Sequence, residues 1–257
     1  MDFNYVSRGN GIPLFFQHGL GGNLGQAQDL LKDLPCVQLI SMDSRGHGKT
    51  SFDKASNISF NQYADDLISL GKQLNIEKAV YGGISMGSGI ALNVAIRYPE
   101  LVQALVLIRP AWLDQPNPNN LHILQNLASL LRKNEGEQIV ESPEYKKMAA
   151  NVPGAAQSVL GELNREQSEH TAEVLDGMCG DSPFKSLEDL RKIDIPVLII
   201  ASDSDPMHPF EFAVQLHENI QNSKLVKVAS RYLQPERHWE EVLSSVRGFL
   251  EYYGFIP

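Results

Sequence analysis

The residues best suited to chemistry lie in Gly83-Ile84-Ser85-Met86-Gly87, where one hydroxyl stands between two glycines directly after a short apolar run. Glycines on both sides allow a strand-to-helix turn too sharp for side chains. Such a turn presents the hydroxyl beyond the carboxyl end of the strand. The N–H groups that open the next helix favour negative charge there. A serine hydroxyl is a weak nucleophile at neutral pH, so it needs a base, and the base needs a group that holds its tautomer.

Seven histidines compete to be that base. His238 is the best placed by order, after the last strand candidate, in "QPERHWEE" where the final helix opens. His18 follows the first central strand and His47 sits in a glycine turn, while His122, His170 and His217 fall in helical patterns that suit surface or packing roles. His208 stands so close in sequence to the acid candidates that orientation by one of them is difficult. For the acid, "ASDSDP" offers both Asp203 and Asp205 after the penultimate strand, at the end of the sheet where an open α/β fold keeps its site. Either carboxylate could instead cap the helix that begins near Pro209.

These groups need elements to hold them. Strand-length apolar bursts recur as "IPLFFQ", "VQLISM", "KAVYGG", "ALVLIR", "PVLIIA" and "KLVKVA". They are too short for buried helices and nearly continuous in apolar residues, as strands covered on both faces should be. Between them, Tyr63, Leu67, Leu70 and Leu74 form one helical stripe, and Val242, Val246, Phe249 and Leu250 form another. The alternation predicts an α/β fold, with a mostly parallel central sheet of about seven strands flanked by helices. A first strand in "DFNYVS" is expected to pair antiparallel at an edge. From Trp112 to about Ser186 the alternation stops, leaving helical stretches broken by "QPNPNN", "ESPEY", "NVPGA" and "CGDSP". The expected division is a core of residues 1–111 and 187–257, with residues 112–186 as a helical cap over one end of the sheet.

Composition narrows the partners. A formal charge of -9 over 257 residues disfavours nucleic acid or an anionic membrane surface, since both are negative, and leaves a small molecule as the expected ligand. Cys36 and Cys179 match no metal spacing and no disulfide framework, so a reduced, cytoplasmic protein is expected. No apolar run reaches the roughly 18 residues of a membrane span, and the first residues lack the basic-then-apolar order of a signal peptide. Oligomeric state is left open.

Taken in order, the motifs resemble the α/β-hydrolase superfamily over nearly the whole chain. "FFQHGLGGN" is similar to its H-G-x-G element, "MDSRGHGKTS" to its D-x-R-G-x-G-x-S turn and "GGISMGSG" to its nucleophile elbow, with "ASDSDP" and "RHW" in the regions of the acid and the histidine. The resemblance implies Ser85 as nucleophile, Asp205 as acid and His238 as base. It also implies an oxyanion hole made by the backbone N–H groups of Leu20 and Met86, and it matches the insertion to a helical cap. Arg237, before His238, departs from the glycine found in many relatives.

The activity this implies is hydrolysis of a small carboxylic ester or lactone through an acyl-enzyme, with no metal and no organic cofactor. The same residues also serve carbon–carbon bond hydrolases and enol-lactonases acting on acidic substrates, and a ligand sensor without turnover is a reading of a different class. Arg109, a charge at the end of an apolar strand, needs a partner: a substrate carboxylate, or an acidic residue of the cap or loop. Trp112 is expected either to line the pocket or to anchor the cap.

Overall fold

Each central strand is apolar in both directions, so it has to be covered on both faces. In a computed structural model of the chain, which describes residues 2–52 and 58–257, the coverage comes from a seven-stranded sheet with helices on either side. The strands are β1 (Tyr5–Arg8), β2 (Ile12–Gln17), β3 (Val37–Met42), β4 (Ala79–Ile84), β5 (Val102–Ile108), β6 (Val197–Ala201) and β7 (Ser223–Lys227). Their order across the sheet is β1-β3-β2-β4-β5-β6-β7. Only β1 runs antiparallel, with Tyr5 opposite Met42 and Arg8 opposite Leu39; the other pairings are parallel.

The helices are α1 (Gly25–Leu30), α2 (Phe60–Gln73), α3 (Met86–Arg97), α4 (His122–Leu131), α5 (Pro143–Asn151), α6 (Pro153–Gly161), α7 (Thr171–Cys179), α8 (Leu187–Leu190), α9 (Phe210–Asn219) and α10 (Pro235–Tyr252). Phe15, Tyr81, Leu105, Leu107 and Ile199 enter one core with Tyr63 and Leu67 of α2 and Ile90 and Val94 of α3. Their neighbours Leu14, Phe16, Val80, Val106 and Leu198 enter a second core with Val242, Val246 and Phe249 of α10. The period of two that sends alternate side chains to opposite faces accounts for strands that read as unbroken apolar runs.

Ser59 caps α2 by accepting from the Gln62 N–H at 3.2 Å. Between β5 and β6 the described chain is helical, comprising α4 to α8 and short 3-10 turns. The final helix starts earlier than the pattern suggests. Pro235, whose missing N–H costs nothing at a first helical position, opens α10, and His238 N–H already donates to Gln234 O at 2.9 Å. His238 therefore lies inside the first turn of a helix rather than in a loop before it. Among the described residues, no helix is long and apolar enough to cross a membrane.

Candidate active site

Ser85 sits where β4 hands over to α3, with φ 56° and ψ -111°, a backbone conformation costly for a residue with a side chain. The turn is tight enough to require its glycines. A Cβ on Gly83 would collide with the backbone of Gly87, and one on Gly87 with the carbonyl of Gln17. The strain is held by hydrogen bonds to the next strand and across the turn itself. Ser85 N–H donates to Ile108 O at 2.9 Å, and the Ser88 hydroxyl reaches Gly83 O at 2.8 Å and Ile108 O at 3.0 Å.

The imidazole facing Ser85 is that of His208. Its Nε2 lies 2.9 Å from Ser85 Oγ, and its Nδ1 lies 2.8 Å from Asp205 Oδ1. With the proton on Nδ1 donated to the carboxylate, Nε2 is left to accept from the serine hydroxyl. The loop between β6 and α9 makes this possible by turning back on itself, with His208 N–H donating to Asp205 O at 3.2 Å. Residues three apart then stand side by side, so sequence proximity promotes the contact instead of preventing it.

The expected base, His238, is placed elsewhere. Its Nδ1 donates to Ala229 O at 2.7 Å, its Nε2 is buried without a partner among the described residues, and its ring packs edge-on against Trp239 at 4.6 Å. It makes no hydrogen bond to Ser85 or Asp205 and is absent from the lining of the cavity that holds Ser85. The reason is the early start of α10, which turns the ring toward the strand end at Ala229. Asp203 is half exposed and pairs with Lys227, leaving Asp205 as the carboxylate at the imidazole.

Arg109 is buried, with 1% of its side chain exposed, and its positive φ of 52° directly follows β5. Its Nη2 and Nε lie 2.6 and 2.8 Å from Asp205 Oδ2. Its partner is thus the loop carboxylate, the second of the two expected from the sequence, while Nη1 is buried without a hydrogen-bond partner among the described residues. Tyr232 stacks near this cation, with its hydroxyl 3.2 Å from Nη2. Burial opposes ionisation of Asp205, but the neighbouring His208 and Arg109 outweigh it and hold the carboxyl well below its ordinary range. His208 is pushed below the ordinary histidine value by burial, which Asp205 resists and the nearby Arg109 cation reinforces. A neutral imidazole at neutral pH is the result.

The glycine loop after β2 is fixed by polar side chains. Gln26 Oε1 accepts from Gly19 N–H at 2.8 Å, His47 Nε2 from Gly21 N–H at 3.3 Å, and Asp43 Oδ1 from Leu24 N–H at 2.7 Å. His18 spends both ring nitrogens inside this framework, on Gly19 O and Ser44 N–H. Leu20 N–H meets no acceptor among the described residues, and Met86 is the first residue of α3, where an amide has no intrahelical acceptor.

A cavity of about 250 Å³ connects these groups. It is lined by Ser85, His208 and Leu20 from the sheet side and by Leu121, Leu124 and Glu162 from the helical segment. Trp112 lines the cavity, and its Nε1 donates to Met178 O of α7 at 3.1 Å. Glu162, Arg231 and Tyr232 also line it and were not singled out by sequence, since no motif marks them. Among the described residues no group of His, Cys, Asp and Glu is arranged to hold a metal.

Comparison with known proteins agrees with this fold. A family model described as alpha/beta hydrolase fold matches residues 12–231. The chain is 30% identical over 226 residues to a bifunctional esterase/perhydrolase of Acinetobacter calcoaceticus, covering 83% of this chain and 82% of that one. It is similar in structure to a thermophilic esterase from Thermogutta terrifontis solved with malate bound, with a TM-score of 0.78 at 22% identity, covering 97% of this chain and 93% of that chain. Est816, described as an N-acyl homoserine lactone degrading enzyme, is similar with a TM-score of 0.73 at 20% identity, and the alignment covers 96% of each chain. The chain belongs to the alpha/beta hydrolase family and is an enzyme of that class.

Proposed function

We propose that the protein is a serine hydrolase that cleaves a small carboxylic ester or lactone through an acyl-enzyme, with Ser85 as nucleophile, His208 as base and Asp205 as the acid that orients it. The observation that carries this reading is the continuous chain of hydrogen bonds from Ser85 Oγ to His208 to Asp205, at 2.9 and 2.8 Å. His208 Nε2 takes the hydroxyl proton as Ser85 Oγ attacks the carbonyl carbon. Asp205 stabilises the imidazolium that forms. Leu20 and Met86 N–H groups receive the oxyanion, a kind of contact worth roughly 2.7–4 kcal/mol per donor. When the tetrahedral intermediate collapses, His208 returns its proton to the departing alcohol oxygen. Water then enters, gives a proton to His208 and attacks the acyl carbon, and collapse releases the acid and restores Ser85. In this reading residues 112–186 form a cap, with Trp112 as the residue that joins it to the sheet.

Labelling with a fluorophosphonate probe, run beside a panel of short-chain p-nitrophenyl esters, tests the proposal. Labelling and turnover in the parent, both lost in Ser85→Ala, are the expected result. Labelling without turnover of any ester or lactone would overturn the substrate class, and no labelling of folded protein would overturn the nucleophile.

A further inference from the structure

Glu162, just past the C-terminus of α6, is the one acidic side chain among the described residues on the cavity wall, and the proposed reaction does not use it. It is 7% exposed, and neither carboxylate oxygen accepts a hydrogen bond among the described residues. Oε2 is fully buried without such a bond. The nearest cation, Arg165, has its Nε 3.5 Å away, too long for a good hydrogen bond. Two nitrogens of that guanidinium are engaged elsewhere, with Nε donating to Thr171 Oγ1 at 2.9 Å and Nη1 to Gly46 O at 2.7 Å, and Nη2 is buried without a hydrogen-bond partner among the described residues. Arg165 thus supplies charge but no hydrogen bond. The other carboxylate oxygen lies against Gly21, so close that a Cβ there would collide with it. Glycine at this position, with φ 72°, is therefore what lets the carboxylate stand beside the loop that carries Leu20. A carboxylate so buried and so poorly satisfied is costly to the folded chain unless something binds there. Burial raises its carboxyl to about 7, with Arg165 opposing the rise.

We infer that Glu162 is a specificity-determining residue, whose carboxylate accepts a hydrogen bond from a hydroxyl or ammonium group on the acyl part of the substrate. The inference rests on the serine-hydrolase reading for the placement of the two halves of the ester. The departing alcohol oxygen has to lie at His208 Nε2, which returns the proton to it. Glu162 stands at Gly21, beside the loop assigned to the oxyanion, so the acyl half is the part that meets it. A site built to pair a polar group discriminates strongly against an isostere that lacks it, because the protein's own group is left unpaired.

Methyl 3-aminobutanoate, methyl 3-hydroxybutanoate and methyl 3-methylbutanoate are nearly isosteric and differ in the group offered to the carboxylate. Their binding to Ser85→Ala, which cannot form the acyl-enzyme, is measured by NMR titration at pH 8, above the value of about 7 to which burial raises the Glu162 carboxyl. The ammonium ester is expected to bind about tenfold more tightly than the methyl isostere, and the hydroxyl ester about threefold. Adding Glu162→Gln, whose amide oxygen accepts more weakly than a carboxylate, should lower both ratios by about twofold or more. A preference for the ammonium alone narrows the donor to a cation, and a preference for the hydroxyl alone narrows it to a neutral donor. Equal binding of all three esters, or ratios unchanged by Glu162→Gln, would overturn the inference. Glu162→Asp, which keeps the charge but withdraws it by one methylene, should lower the ratios and serves if the amide variant does not fold. Turnover is measured separately on the parent. Its absence would count against the serine-hydrolase reading, while the binding ratios still decide the role of Glu162.

Discussion

The segments that follow β6 and β7 each carry a histidine close to a strand end, yet they put those rings to opposite uses. After β6, a loop turns through Asp205 and His208 and delivers the imidazole to Ser85 at 2.9 Å. After β7, Pro235 starts a helix, and His238 is drawn into its first turn to bond Ala229 O. The difference is one of backbone freedom. A loop lets a side chain face a neighbouring strand end, whereas a helix fixes the direction of each side chain by its position in the turn.

The largest effect that separates the two segments is on turnover. His208→Ala should lower kcat by about 10³-fold or more, since a triad without its base keeps only what binding and the oxyanion donors supply. His238→Ala should retain kcat to within about tenfold, because that ring reaches neither Ser85 nor Asp205. Steady-state ester hydrolysis by both variants, checked for folding by circular dichroism, decides between them. The reverse ranking would restore His238 as the base.

The second effect concerns the cation behind the first segment. Arg109→Met removes the partner of a buried carboxylate, and breaking such a pair costs roughly 3–5 kcal/mol of stability. It also removes a positive charge that holds down the proton affinity of His208. The acid limb of the pH–kcat/KM profile should therefore move to higher pH in the variant. A limb that stays in place would mean that Arg109 acts on Asp205 alone.

In the parent, the same reasoning gives the sign of the pH dependence. His208 must be neutral to accept the serine proton, and its value lies below the ordinary 6.5. Activity is thus expected to persist as pH falls through 6.5 and to decline only below it. A decline centred above 6.5 would contradict a base buried beside Arg109.

How much of this was legible in the sequence follows from the range over which each feature is determined. The strands and the elbow are local: an apolar run bounded by turn residues, and glycines where a Cβ would strike neighbouring backbone at Gly83 and Gly87. The place after a strand marked both Asp203 and Asp205, and only the resemblance pointed to Asp205, the one that meets the imidazole. The imidazole that faces Ser85 was harder to read, because two local facts decide it. Pro235 marks a helix start that takes His238 out of the loop, and three-residue spacing inside a turn brings Asp205 and His208 together. Glu162 and Arg231 were not legible at all, since the position of Glu162 on the cavity wall depends on how the helical segment folds over the sheet and that of Arg231 on the path of the chain between β7 and α10.

The smallest effect tests what the second segment is for. His238 ties the first turn of α10 to the chain leaving β7 through the 2.7 Å bond to Ala229 O, and its ring is fully buried. His238→Phe keeps the volume and leaves that carbonyl unpaired, which costs about 1–3 kcal/mol. For a chain of this size each kcal/mol is worth about 2–4 °C, so a fall in Tm of roughly 2–12 °C is expected, with kcat within a few-fold of the parent. Loss of Tm without loss of kcat would mark His238 as a tether of the helix to the sheet. A fall in kcat at unchanged Tm would instead mean that the two histidines work together, and would erase the distinction drawn between their segments.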